Sequence, residues 1–319
     1  MSRIIKWGIL GCGRIAEKFA KDMALIPDVQ LVACASKDIS KAQTFAEKFQ
    51  VTHYYESYTS MLALEELDVI YIATTHNFHY ANIVLCLEHG KHVLCEKPVC
   101  VTSSELDRVV TLAKDKGLFL MEAMWTAFLP AFQGLLQDIK SGVIGEVRYL
   151  RADFGFFSAY DPKHRLFDPS LAGGCILDIG IYPLFAALEI LGKPTEIHTS
   201  KGYAPSGVED ECAIQLKYET GAHASLYTTL TCNTSNTLEI FGTQGSILVP
   251  SRFHELSQYR ILDQQGNVQD RVWEKLGFGY THEIIHVSEC LRKSMTESDI
   301  MTFAQSKALM ELMQHAINH

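Results

Sequence analysis

The sequence predicts an α/β plus α+β chain: an N-terminal doubly wound parallel sheet, then an open, mainly antiparallel sheet with helices. Three observations carry this. Short apolar runs alternate with amphipathic stretches over the first 123 residues. A glycine turn, Gly11-Cys12-Gly13, follows the first run directly. Beyond that region the rhythm changes to closely spaced runs of alternating polarity. At 319 residues the chain is long for one domain, so two are expected, 1–123 and 124–319, with the C-terminal helices free to pack back on the first.

The elements follow in order. Ile4–Leu10 reads as the first strand and Ile15–Ala24 as its helix. Leu31–Ala35 is the second strand, followed by helical residues over Ser40–Phe49, and Tyr54 sits on a short third strand. Val69–Ala73, Val93–Cys95 and Phe119–Met121 complete the sheet, with helices over His79–His89 and Ser103–Lys116. Continuous apolar runs of this length suit parallel strands covered on both faces. After one more helix, Gln133–Ser141, strands dominate: Glu146–Phe154, Thr195–Gly202, Cys212–Tyr218, His223–Thr231, Thr237–Phe241, Ser246–Val249 and Tyr259–Leu262. Thr220-Gly221 marks a hairpin turn. Helices over Tyr280–Lys293 and Phe303–Ala316 close the chain.

Composition excludes some functions. A net charge of -9 and a pI near 5.8 oppose a dedicated nucleic-acid binder. No stretch reads as long and apolar enough to span a bilayer, and the N-terminus lacks a signal-peptide layout. The 9 cysteines are odd in number and form no CxxC pair, which fits a reducing cytoplasm and no zinc knuckle. His282-Glu283-x-x-His286 has the spacing of a zinc-protease helix, but no third ligand is evident, so no metal is expected.

Gly11-Cys12-Gly13-Arg14-Ile15-Ala16 fits G-x-G-x-x-A between a strand and a helix. Gly11 allows the tight turn, Gly13 lets backbone approach a pyrophosphate, and Ala16 lets the helix pack closely. The helix N-terminus then offers N–H groups to phosphates. A dinucleotide site is the reading. At the end of the second strand, an NAD-specific site usually carries an acidic residue. Here Ser36 and Lys37 stand there, with Asp38 one or two places later. Hydroxyl plus cation suits a 2'-phosphate, so NADP(H) is expected to be preferred, with NAD(H) possible.

Cys95-Glu96-Lys97-Pro98 follows the fifth strand. Together with Gly11–Ala16, Thr74-Thr75-His76-Asn77-Phe78-His79 and Gly173-Gly174-Cys175-Ile176-Leu177-Asp178-Ile179-Gly180-Ile181-Tyr182, it makes the chain resemble the glucose–fructose oxidoreductase / inositol dehydrogenase (Gfo/Idh/MocA) family along essentially its full length. Within the family, Met121-Glu122-Ala123-Met124-Trp125-Thr126 and Tyr182 resemble the dihydrodiol dehydrogenase and D-xylose dehydrogenase branch.

The resemblance implies a Rossmann NADP-binding domain, then a substrate and dimerisation domain whose sheet builds a homodimer. It implies hydride transfer between a nicotinamide and a polyol, sugar or cyclic diol. Lys97 would orient the substrate hydroxyl and Tyr182 would be the general acid/base, since a nearby cation brings a phenol toward its working range. Asp178 would hold a substrate hydroxyl or position the lysine. Thr74, His76, Asn77, His79 and Glu96 would line the cofactor site, with Glu96 anchoring its loop. Trp125 and Phe154 would line the substrate pocket, and Phe156, Phe157 and Tyr160 extend an aromatic wall. Two departures stand out: Cys175 replaces a third glycine, and Ala127 stands where relatives often carry arginine. A cofactor-binding regulator without catalysis is the rival function, but it has no need of Lys97, Asp178 and Tyr182 together.

Overall fold

A computed structural model describes residues 3–319; Met1 and Ser2, the first two residues of the expected 1–123 domain, lie outside the described residues. The chain forms two compact units, Met1–Phe128 with Lys275–Lys307, and Leu129–Glu274 with Ala308–His319. A single cut at 123/124 therefore differs from the observed division. The physical reason lies in the first unit: buried Asp22 accepts the backbone N–H groups of Phe278 (2.8 Å) and Tyr280 (2.8 Å). Arg292 donates to the carbonyls of Arg3 and Asp28.

The first unit holds β1 (Ile5–Leu10), α1 (Arg14–Met23), β2 (Val29–Ala35), α2 (Ile39–Phe49), β3 (His53–Tyr55), α3 (Tyr58–Leu62), β4 (Val69–Ile72), α4 (His79–Glu88), β5 (His92–Glu96), α5 (Ser103–Lys116) and β6 (Leu120–Ala123). The strands form one parallel sheet in the order β3-β2-β1-β4-β5-β6. Chain order reverses between β1 and β4, and ligands of open α/β sheets bind at the carboxyl edge of that switch point. The central strands are apolar on both faces: Val69, Ile70, Tyr71 and Ile72 are all fully buried.

The second unit contains α6 (Pro130–Lys140), β7 (Val147–Gly155), α7 (Ile181–Leu191), β8 (Glu196–Tyr203), β9 (Glu209–Lys217), β10 (His223–Thr229), β11 (Leu238–Gly242), β12 (Gly245–Val249), β13 (Gln258–Asp263) and β14 (Val268–Val272). The eight strands run in the order β14-β13-β12-β11-β7-β10-β9-β8 and pair antiparallel except for β7 with β10. α8 (Thr281–Arg292) belongs to the first unit, and the division falls inside α9 (Phe303–Asn318). Leu150, Ala152, Ile214, Leu226 and Ile240 form the covered face of the sheet. Leu226 and Leu230 are buried in the core, whereas Tyr227 between them is half-buried.

One expectation about membranes is corrected. The helical run Pro169–Leu191 spans 23 residues and contains an 18-residue window of mean hydropathy 1.8, long and apolar enough to cross a bilayer by composition. Its apolarity has another cause, since 83% of that window is buried inside the protein. It is also not one regular helix: a 3₁₀ turn and a π turn, Ile176–Gly180, precede α7.

Gly134 lies inside α6, where alanine ordinarily adds about 1 kcal/mol of stability. Here a Cβ would sit 2.5 Å from the Trp273 ring. Overpacking of a rigid contact costs roughly 1–3 kcal/mol, so Gly134→Ala is expected to lower the thermal midpoint. A raised midpoint in thermal unfolding contradicts this.

Candidate active site

In the first unit, the loops after β1, β2, β4 and β5 share one sheet edge. Gly11 leaves β1 at φ +92, and a Cβ there would meet the Ala73 carbonyl at 2.8 Å. Side chains are therefore excluded where β1 and β4 part. Gly13 differs: a Cβ on it would meet no protein atom within 4 Å. Protein packing does not require that glycine, but close approach of a pyrophosphate does. Arg14 and Ile15, the next two residues, are exposed at the start of α1, and Ala16 is fully buried beneath them. Among the described residues, no side chain caps the N-terminus of α1, whereas Asp38, Ser57 and Thr102 cap α2, α3 and α5. Its free N–H groups and positive dipole end suit an anion. These features fit a dinucleotide. The Cys12 thiol, opposite the Ala35 carbonyl (3.7 Å), is held below the usual thiol range by a hydrogen bond with Cys34, against its burial.

β2 ends at Ala35, so Ser36 and Lys37 are the next residues on that edge. Ser36 is nearly buried and Lys37 exposed, with its ammonium 4.5 Å from the Phe78 ring centroid. Asp38 is committed elsewhere. Its carboxylate accepts from Ser40 N (3.0 Å), Ser40 Oγ (2.5 Å) and Lys41 N (3.4 Å), capping α2. The Ser40 hydroxyl above all holds its pKa below the usual range.

The Lys97 loop is fastened at several points. Tyr71, fully buried, donates to Glu96 Oε1, and Lys97 N–H donates to Glu96 Oε2 at 3.3 Å. Lys97-Pro98 is a cis peptide. His79 is fully buried, with Nδ1 2.8 Å from the Pro98 carbonyl and Nε2 3.0 Å from the Thr74 carbonyl. Burial and the nearby Lys97 push its pKa down, while the two carbonyls pull it up. Its side chain thus ties the loops after β4 and β5 together. Thr74 Oγ1 accepts from Asn82 (3.0 Å), Asn77 pairs with Thr75 Oγ1 (2.9 Å), and His76 packs edge-on to His79.

Glu122, on β6, is a residue the sequence reading left out of the site. Buried and with Oε1 accepting from Val99 N at 3.0 Å, it has its pKa pushed up to about 7, chiefly by burial and against its bond with Ser306. Trp125 is buried and stacked on Tyr280 at 5.0 Å and 13°, as a core residue would be.

The second unit brings Asp178, Tyr182 and Phe154 together with two residues the sequence did not flag, Arg165 and His254. Gly174 has φ +121, and a Cβ on it would strike the Glu209 carboxylate. A Cβ on Gly173 would meet the carbonyls of Leu166 (2.8 Å), Asp168 (2.9 Å) and Arg165 (3.0 Å). The glycine pair thus lets segment 164–174 fold back on itself. That fold presents Arg165 to Asp178 in a bidentate pair, Nη1–Oδ1 3.0 Å and Nη2–Oδ2 3.2 Å. Such a fork fixes the orientation of the carboxylate as well as its charge. Asp178 lies in the π turn and Tyr182 in the first turn of α7, both nearly buried. The Tyr182 ring packs 5.6 Å from Phe154 and 5.1 Å from His254, which themselves stack at 4.3 Å and 19°. The expected aromatic wall is shorter than read: Phe157 and Tyr160 are exposed.

Glu122 carries a pH prediction. Its folded pKa near 7 lies above the roughly 4.3 of an unfolded glutamate. The folded chain thus binds more protons between those values, and this residue's contribution falls as pH rises from about 4 to 7. Glu122→Gln keeps an acceptor for Val99 N–H and removes the titration. The variant is expected to gain stability over the parent at pH 8 relative to pH 4, on the order of 1–3 kcal/mol. Denaturant unfolding at both pH values checks it; parallel changes in the two proteins contradict it.

Known proteins share this architecture. The family described as "Oxidoreductase family, NAD-binding Rossmann fold" matches residues 5–124, and the GFO/IDH/MocA C-terminal domain matches residues 132–248. Trans-1,2-dihydrobenzene-1,2-diol dehydrogenase of Mus musculus is 35% identical, with 98% of this chain and 96% of that protein covered. A 3-ketoreductase from Actinomadura kijaniata, solved with NADP and TDP-benzene, superposes with TM-score 0.87 at 23% identity, covering 98% of this chain and 97% of that one. A levoglucosan dehydrogenase, solved with NADH and levoglucosan, gives TM-score 0.88 at 20% identity, covering 99% and 96%. With both domain descriptions matched in order and a relative aligned over nearly its whole length, the chain belongs to the Gfo/Idh/MocA family of oxidoreductases.

Proposed function

We propose that this protein is an NADP-dependent dehydrogenase/reductase acting on a CH–OH group of a sugar or cyclic diol, of the trans-dihydrodiol or D-xylose type. The observation that carries it is the Arg165–Asp178 fork, which sets a buried carboxylate one helical turn before Tyr182. The relative's dihydrodiol and the levoglucosan bound by one structural neighbour support the substrate class. When bound, the nicotinamide cofactor supplies or receives the hydride. The protein's residues handle orientation and the proton. Tyr182 Oη gives its proton to the substrate oxygen in reduction and takes it back in oxidation. Asp178 accepts a hydrogen bond from a neighbouring hydroxyl, and Lys97 Nζ, on the loop after β5, orients the cofactor ribose. Lys97→Met and Tyr182→Phe are each expected to lower kcat by at least a hundredfold, with the far-UV spectrum unchanged. Near-normal turnover in either removes that residue from the mechanism.

The cofactor preference rests on Ser36 and Lys37 at the end of β2, with the Asp38 carboxylate turned into its helix cap. Charge-assisted contacts contribute roughly 1.5–3 kcal/mol each, enough for a tenfold preference for NADP(H). Fluorescence titration of both cofactors is expected to show it, and Lys37→Asp to abolish it by weakening NADP(H) alone. Equal affinities in the parent protein contradict the assignment.

A homodimer through the outer face of the second unit's sheet completes the proposal. The half-buried aromatics Tyr149 and Phe241 stack there at 5.9 Å, and Tyr227 lies farther along the β7–β10 pair, opposite Asp153. Light scattering at micromolar concentration is expected to give twice the chain mass; a monomer contradicts it. A cytoplasmic location is supported by the nine cysteines, all of them free thiols.

A further inference from the structure

We propose that His286, Cys290 and Asp299 form a binding site for a divalent cation of the zinc class, built from residues with no part in the proposed reaction. His286 and Cys290 lie four apart on α8, so they share one helix face. Asp299 comes from the loop that follows. The three donor atoms all lie within 4.8 Å of one another. His286 Nε2 is 3.4 Å from Cys290 Sγ and 3.7 Å from Asp299 Oδ1. Zinc bonds of about 2.3 Å to sulfur and about 2.0–2.1 Å to nitrogen or oxygen, set at tetrahedral angles, give ligand edges of about 3.6 Å for N···S and about 3.3 Å for N···O. Two edges of the polyhedron are therefore within a few tenths of an ångström of their bound lengths.

The imidazole is also held in the form a metal requires. Ser298 Oγ accepts the N–H groups of Ile300 (3.1 Å) and Met301 (2.9 Å). Its hydroxyl hydrogen is thus left for His286 Nε2, 2.8 Å away. Nε2 is then an acceptor, with its lone pair turned toward Ser298 and Cys290. Cys290 is 2% exposed, whereas the Asp299 side chain is 74% exposed and offers an entry side. On binding, the Ser298 hydroxyl gives up its bond to Nε2, whose lone pair passes to the cation, and the Cys290 thiol releases its proton to solvent as its sulfur becomes a ligand. Water supplies the fourth position. A mixed N, S and O set of this kind selects zinc over magnesium or calcium. The sequence offered His282-Glu283-x-x-His286; the geometry uses only His286 of that motif, and Glu283 is wholly buried.

The bound cation would pin the loop after α8 to that helix and stabilise the first unit by mass action. Titration of the reduced, untagged protein with cobalt(II) alone, followed by zinc(II), tests this. His315 and His319 are also four apart, with rings stacked at 4.4 Å, so the titration is run on a His319→Gln background. The expected result is one cobalt per chain, a thiolate-to-cobalt charge-transfer band, its loss on adding zinc, and its absence in Cys290→Ala. Asp299→Asn, a change at an exposed side chain, is expected to weaken cobalt binding at least tenfold and decides the matter if Cys290→Ala does not fold. No band, a band that survives Cys290→Ala, or unchanged affinity in Asp299→Asn overturns the proposal.

Discussion

The first unit depends on one constraint: loops leaving β1, β2, β4 and β5 must all end on the same edge of a sheet buried on both faces. Parallel pairing enforces this, because every strand delivers its carboxyl end to that edge. The reversal between β1 and β4 opens the edge where they diverge. Gly11 and Gly13 then serve separate needs. The first yields to the Ala73 carbonyl, and the second faces open space. Neither position has room for a side chain once a pyrophosphate is held there.

A buried edge has a cost in polar groups, which this chain meets by tying them to one another. His79 spans two carbonyls, Glu96 takes Tyr71 and its own neighbour's N–H, and Glu122 takes Val99 N–H. Lys97 thereby sits on a loop held by groups from several strands rather than on a free turn, as the orienting role proposed for it requires. The second unit solves the same problem with a folded-back segment. Gly173 and Gly174 let the chain turn, Arg165 comes to Asp178, and Glu209 receives Ile176 N–H at the start of the π turn (3.4 Å).

Much of this was legible in the sequence, and what was not has physical reasons. The buried strands announced themselves because parallel strands are apolar throughout; even the three-residue β3 was placed, at Tyr54. β14 was missed because Val-Gln-Asp-Arg-Val is a largely exposed strand with no buried face to impose alternation. α3 is only five residues long, too short for periodicity to register. Gly11, Gly13, Ser36, Lys37 and Lys97 were readable since each is tied to a local strand end. Arg165 and His254 were not, because their roles arise from backbone folding across long sequence gaps. Glu122 did leave a signal: a carboxylate inside an apolar strand is out of place unless something holds it.

The account stands or falls on turnover. The most direct measurement is the absorbance of reduced nicotinamide when the protein is mixed with NADP+ and a panel of aldoses and cyclic trans-diols. The prediction is steady formation of the reduced cofactor with at least one member of the panel. Cofactor binding without any turnover across the panel would contradict it and identify a binding protein that has kept the fold alone.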